Sequence, residues 1–427
     1  MKLKKYNKSL HKVLDNHVKS QKLQAICSDS SVCIAFGKQS DDIKQFFDNY
    51  HTFKYLHGPL KRIGNVSANG FVFEVNYNRL NYNSHAVLKS SSNAKSDNLY
   101  YEYLVGQYVN KLNKRFPCFI ETYDCYLYAN TITYEYFKAN KTIDYDQLKK
   151  AFYPTPVDYP TSCIYSSEIA LLVQHIKDAK TLGEMCNTDK DYVNDELVCA
   201  LYQVYSALAY NINTFTHYDL HYDNVLLYEP KKGAYITYHY HLPGGQVTTF
   251  DSRYIAKIID YGRSYFKDTE NNMDSLKIHK KICNTSSCDP ECGARKGYFW
   301  LRENPLKPGS HIISAKNNVS SDLRLIHTLR NVAHTTLTLN LFMKIIYKEK
   351  FGTPELDTSG LPSKVNNVDD AFSILNHIVN NQMSFHVKKY SIFGTAMSGY
   401  RRIPMKKMGD LHVYMDNSDR PMKFEEI

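Results

Sequence analysis

Apolar positions along the chain change their period several times, and each change marks an element. In residues 195–215, Leu197, Leu201, Val204, Leu208 and Ile212 recur every three or four positions, the clearest helix in the sequence. Earlier, Ser40-Asp41-Asp42-Ile43 predicts a helix through Tyr50, with Ser40 as N-cap and acids in the first turn. From Leu60 the period falls to two. Phe71, Phe73 and Val75 alternate after Gly64 and Gly70, and His85-Ala86-Val87-Leu88 forms a strand that closes on Lys89. Leu99, Tyr103, Gln107 and Leu112 restore helical spacing over 98–112, and residues 116–128 alternate again. Residues 129–165, rich in Tyr, Thr and Pro, interrupt the pattern as an insertion before a strand at 168–174. Strands at 235–241 and 246–250 flank the turn Pro243-Gly244-Gly245, and a buried strand at 254–259 follows. Helical signals return at 321–332, 337–347 and 369–380. Residues 1–57 read as a helical extension, and residues 346–427 as a helical C-terminal part.

The pattern places polar groups where a packed core does not need them. Lys89 ends an apolar strand. Glu102 is the only acid of the 98–112 helix. Asp219 precedes Asn224 by five positions, between the clearest helix and the apolar run Val225-Leu226-Leu227. Asp260-Tyr261-Gly262 ends a buried strand. One acid to accept a proton and one amide oxygen to hold a cation, leaving a single loop, suit phosphoryl transfer. A surface glutamate at 102 and a plain hairpin turn at 64–70 are the alternatives at those two positions.

The run His217-Tyr218-Asp219-Leu220-His221-Tyr222-Asp223-Asn224 resembles the catalytic loop of the protein-kinase-like superfamily, with Tyr218 where that family has Arg. It is most similar to the divergent kinases of large DNA viruses, while Asp219-Leu220-His221 also resembles the aminoglycoside and choline phosphotransferases. The resemblance spans about residues 58–345. It implies an α+β, bilobal fold with a small antiparallel-sheet N-lobe (58–176, insertion 129–165) and a larger helical C-lobe (177–345, hairpin insertion 231–252).

It also implies roles. Gly64, Ser67 and Gly70 would cover the ATP phosphates, Lys89 would pair with them, and Glu102 would hold Lys89. The backbone of Gln174–Ile176 would bond adenine. Asp219 would orient the acceptor hydroxyl, Asn224 and Asp260 would hold Mg²⁺, and Gly262 would let the chain turn away. Asp322 caps its own helix or braces residues 217–219. His221 stands where the family has Lys, which leaves the acceptor open. A Ser/Thr protein kinase is the first expectation; a small-molecule phosphotransferase or a pseudokinase scaffold is the alternative.

Composition narrows the setting. The formal charge of +10 comes from dispersed lysines, so a nucleic-acid partner is not expected. The polar, basic start Met1-Lys2-Leu3-Lys4-Lys5 lacks the apolar stretch of a secretion signal, and no apolar run is long enough to span a membrane. With ten scattered cysteines, a reducing cytoplasmic setting (host cytoplasm or virion, if viral) is expected. His279, Cys283, Cys288 and Cys292 could hold a structural Zn²⁺, with free thiols or a disulfide as alternatives. The protein substrate and the oligomeric state are not legible. Because Tyr218 replaces the Arg that would receive an activating phosphate, turnover is expected to survive phosphatase treatment. Loss of turnover after that treatment would contradict the expectation.

Overall fold

The computed structural model describes residues 25–27, 33–67, 70–79, 82–92, 97–155, 159, 160, 162, 165, 168–282, 298–300, 310–332, 365–381, 405–416 and 418–427. A short hairpin, β1 (Ala25–Cys27) with β2 (Cys33–Ala35), precedes helix α1 (Gln39–Phe46). The leading segment is therefore not wholly helical. Ser40 lies inside α1 rather than capping it, and its hydroxyl donates to the Gly37 carbonyl at 3.0 Å. Helix α1 stops at Phe46 because Asp48, Asn49 and Tyr50 all take positive φ, which no helix continues.

Strands β3 (Leu60–Ile63), β4 (Gly70–Arg79) and β5 (Tyr82–Ser91) form a meander, and helix α2 (Leu99–Leu112) follows. After α2 come β6 (Thr122–Tyr128), helix α3 (Thr131–Ala139), β7 (Thr142–Ile143), helix α4 (Tyr145–Leu148), β8 (Phe152–Pro154) and β9 (Ile169–Gln174). These strands make one seven-stranded antiparallel sheet in the order β7-β3-β4-β5-β9-β6-β8. Among its described residues, the stretch 129–165, expected as an insertion, holds α3, α4, β7 and β8. Its two short strands cover both edges of the sheet, where unpaired backbone groups would otherwise be exposed.

One face of this sheet meets an aromatic layer. Phe46, Phe47 and Tyr50 are fully buried against Tyr77, Tyr123 and Tyr126, so the leading segment docks on the sheet. Tyr50 and Tyr123 stack at 4.1 Å. Much of the aromatic excess of the composition is used here, since flat rings fill such a layer with little loss of side-chain freedom.

The second half is built around one buried helix. Strand β10 (Lys180–Thr181), helix α5 (Leu182–Thr188) and helix α6 (Lys190–Asp195) lead into α7 (Leu197–Tyr210). Every residue of α7 from Leu197 to Ala209 is buried, so it is a core helix rather than an amphipathic surface one. Its one amide, Gln203, is satisfied on both sides: Nε2 donates to the Tyr254 carbonyl and Oε1 accepts from the Ala256 N–H, each at 3.0 Å.

Next come β11 (Phe215–Thr216), β12 (Val225–Tyr228), β13 (Ala234–His241), β14 (Val247–Ser252), β15 (Ile255–Ile258), β16 (Tyr265–Asp268), β17 (Met273–Asp274) and helix α8 (Ser275–Ile282). Beyond them lie β18 (Tyr298–Trp300), β19 (Ser310–Ile312), helix α9 (Arg324–Thr328), helix α10 (Val368–Asn381), β20 (Lys406–Tyr414) and β21 (Lys423–Glu426). The expected hairpin at 231–252 is present as β13 and β14, but it is not a free excursion. Strand β20 pairs with β13 in parallel, and β21 extends the same sheet. The C-terminal part is therefore partly sheet rather than helical. The expected helix at 337–347 lies outside the described residues.

Among the described residues, no helix is long and apolar enough to cross a membrane. Cys118, Cys125, Cys186 and Cys199 are buried free thiols, whereas Cys33 is disulfide-bonded, which the expectation of a reducing setting did not anticipate.

One buried cation gives a stability prediction. Lys257 on β15 is 1% exposed, and its ammonium donates to the Phe119 carbonyl at 3.2 Å. Burial drives it down to about 8 from 10.5, with Cys118 and Glu121 opposing. Between those values the folded chain holds fewer protons than the unfolded one, so stability rises with pH. Lys257→Met is expected to gain roughly 1–3 kcal/mol at pH 7 and to flatten that rise, as read by chemical denaturation from pH 7 to 10.

Candidate active site

Strand β5 carries Lys89 to the face of the sheet opposite the aromatic layer. Ala86 and Leu88 pack into that layer, while Val87 packs against the main core and Lys89 shares its side of the strand. Helix α2 supplies the partner. Asn98 caps it, its side chain accepting from the Tyr100 N–H at 3.0 Å and the Tyr101 N–H at 3.3 Å. A Cβ on Gly106 would lie 2.0 Å from the Thr122 hydroxyl, so glycine lets α2 press against β6. Glu102 stands one turn earlier on the same helix face. Lys89 Nζ donates to Glu102 Oε2 at 2.9 Å and Oε1 at 3.1 Å, and also to Asp260 Oδ1 at 2.7 Å.

Asp260 arrives from the other half of the chain. Strands β12 and β15 pair antiparallel with Val225 opposite Ile258, so Asn224 and Ile259 meet at one end of the ladder. The Ile259 N–H donates to the Asn224 carbonyl at 3.1 Å. Asp260 follows at φ 70°, a left-handed conformation that is costly for a residue with a Cβ. Asn224 Nδ2 donates to the Asp219 carbonyl at 2.9 Å, which leaves Oδ1 as the acceptor for a cation. Asn224 Oδ1 and the Asp260 carboxylate are hard oxygen donors of the kind Mg²⁺ takes with phosphate and water.

The loop between β11 and β12 is held from below. Asp322 is 2% exposed and is not the cap of its own helix. Its carboxylate accepts from the His217 N–H at 2.7 Å and the Tyr218 N–H at 2.9 Å. His217 is fully buried, with Nε2 against the Ile259 carbonyl at 2.9 Å, which ties the loop to the segment carrying Asp260. Burial pushes the His217 imidazole down to about 4, so it is neutral.

Charge is concentrated here. Burial would lower the Lys89 ammonium, but Asp260 and Glu102 outweigh it and hold it above the ordinary lysine range. Burial raises Asp260, yet Lys89 wins and the net shift is downward. Burial pushes Asp219 up to about 6, opposed by Arg263 and Arg324 and reinforced by Asp260. Asp97, which sequence reasoning passed over, joins the group: its carboxylate lies 3.4 Å from Arg263 Nε, and burial raises it. Arg263 and Arg324 were also passed over, although one follows Gly262 directly and the other stands two residues after Asp322.

Other expected positions stand differently. Gly262 does not take a left-handed turn. A Cβ there would press on Asp97 and Glu102, each about 3.3–3.4 Å away, so close approach is what favours glycine. Gly64 has φ 67°, and Gly70 faces the Ser90 carbonyl, which a Cβ would meet at 2.3 Å. The Ser67 N–H donates to the Gly70 carbonyl at 2.8 Å, closing the β3–β4 turn. The Gln174 N–H donates to the Glu121 carbonyl and the His175 N–H to that of His85, so neither is left for a base edge. Ile176 is buried just beyond. His279 is buried in α8 and stacks on Tyr101 at 4.3 Å, while Cys283, Cys288 and Cys292 lie outside the described residues. A cavity of about 620 Å³ beside residues 177–180 is lined by Met185, Leu227, Glu229 and Tyr254 but by none of Lys89, Asp219 and Asp260. Convergence of charge, not volume, marks this site.

Asp322→Ala would leave two buried N–H groups unpaired, costing roughly 2–4 kcal/mol. Asp322→Asn, which keeps an acceptor for one of them, should cost less; thermal melts of the two variants check the order. No protein-family model matches the chain, and no curated protein is significantly similar to it, so the site is read from its own geometry.

Proposed function

We propose that the protein is an ATP- and Mg²⁺-dependent phosphotransferase with a two-lobed, kinase-like arrangement, acting on protein hydroxyls as a Ser/Thr-type kinase. The observation that carries this reading is the contact of Lys89 with both Glu102 and Asp260, which come from sequence positions 13 and 171 residues away. The strand order β3-β4-β5-β9-β6, with α2 on the site face and a helix-led second half, supports it.

In this reading ATP lies between the sheet and the 217–224 loop. Lys89, oriented by Glu102, binds the phosphates. Asn224 and Asp260 would hold Mg²⁺, which neutralises phosphate charge when bound. Asp219 orients the acceptor hydroxyl and takes its proton. Backbone groups around Ile176, rather than the Gln174 N–H, meet the base. Asp219-Leu220-His221 keeps a small-molecule acceptor as the second reading.

The test is transfer of radiolabel from ATP with Mg²⁺ by the purified chain. Label appearing on a protein pool, and not on aminoglycosides or choline, supports the kinase. Asp219→Ala and Lys89→Ala should each lower turnover by about 10²–10⁴-fold while thermal melts report folding. No difference between these variants and wild type would refute the reading. Because Asp219 is raised to about 6 in the free protein, protonation should remove the base below that pH, giving kcat/KM an acidic limb near 6.

A further inference from the structure

The carboxylate assigned as base is surrounded by cations. Asp219 Oδ1 accepts from Arg324 Nη1 at 2.8 Å, and Oδ2 lies 3.6 Å from Arg263 Nη1. His221 Nε2 is 3.8 Å from Oδ1. These three groups are not equivalent. His221 Nδ1 accepts from the Asp223 N–H at 3.2 Å, an acceptor role that belongs to the neutral imidazole, so this ring supplies no full positive charge. Arg263 is shared with Asp97 on the approach to α2. Arg324 is closest, and it belongs to the same short segment as Asp322. That segment therefore holds the loop backbone with an acid at 322 and the loop carboxylate with a base at 324. Burial lowers the Arg324 guanidinium only to about 10, which leaves it charged.

We propose that Arg324 positions Asp219 and supplies the positive charge facing the transferred phosphoryl group, a charge that His221 does not provide. The proposal rests on the phosphotransferase reading. In the step, the acceptor oxygen bonds to the γ-phosphorus as the bond from that phosphorus to the ADP oxygen breaks. The bonding pair leaves with ADP, and the hydroxyl proton passes to Asp219. Before the step the Asp219 charge balances Arg324. Once Asp219 takes the proton, Arg324 loses its nearest countercharge, and its field acts more strongly on the phosphoryl oxygens, where negative charge remains. One ion pair thus holds the base in place and is released by the proton transfer that it serves.

The experiment uses the full chain, Mg²⁺, radiolabelled ATP and dephosphorylated casein, with phosphate release to water as a second readout. Arg324→Ala should lower kcat by about 10²–10³-fold with the KM for ATP changed less than threefold. Arg324→Lys should keep roughly a tenth of wild-type kcat. Arg324→Gln keeps a hydrogen-bond donor to Asp219 without the charge, so it should fall at least tenfold, and it carries the test if Arg324→Ala does not fold. Adding His221→Lys to Arg324→Gln should restore kcat at least tenfold. A purely structural Arg324 would lower the melting midpoint and show no such rescue, and that result overturns the proposal. So does wild-type kcat in Arg324→Gln. An inactive wild type would instead sink the phosphotransferase reading, and this inference with it.

Discussion

The ammonium of Lys89 is the point on which the two halves of the site depend. It contacts both Glu102, carried by the sheet-side helix, and Asp260, carried by the second half. Two carboxylates this close repel each other, and burial makes that repulsion stronger. Lys89 turns the repulsion into a bridge. Such a bridge is not a large source of net stability, because desolvating Glu102 and partly desolvating Lys89 and Asp260 offsets much of their attraction. What it fixes is geometry: β5, α2 and the end of β15 must keep one relative placement, or a charge is left alone in a poor solvent.

That placement needs close backbone approaches, and glycine provides them. Gly106 brings α2 onto β6, where Thr122 would exclude any side chain, and so sets the height of Glu102 above the sheet. Gly262 passes between Asp97 and Glu102 just after Asp260. A methyl group at 106 or 262 would push on the elements that carry the acids. The polar cluster is therefore positioned by packing at residues with no chemistry of their own.

Periodicity made part of this legible. The alternation around Lys89, the helical spacing around Glu102 and the apolar run through α7 each came from local pattern, and the structure has strand, helix and helix there. What sequence pattern missed was non-local. Leu411 and Val413 alternate with His412 and Tyr414, a strand signal, but it is short and follows polar residues, and its partners β13 and β21 are fixed only by the fold. The edge strands at Thr142–Ile143 and Phe152–Pro154 are too short to show a period at all. Arg263, Arg324 and Asp97 went unnoticed for a different reason. A charged residue beside a motif usually faces water, and only the folded geometry shows Arg263 and Arg324 turned toward Asp219 and Asp97 turned toward Arg263.

Two residues of the cluster hold left-handed backbone, as Asp48, Asn49, Tyr50, Asp178 and Asn272 do elsewhere. Tyr218 and Asp260 both sit at left-handed φ, 66° and 70°, although neither is glycine. Each such residue costs about 1–3 kcal/mol, and each would be relieved by glycine. The surroundings hold them there: Asp322 accepts from the Tyr218 N–H, and His217 Nε2 meets the Ile259 carbonyl next to Asp260. Glycine at 260 would relax the chain but remove the carboxylate that meets Lys89.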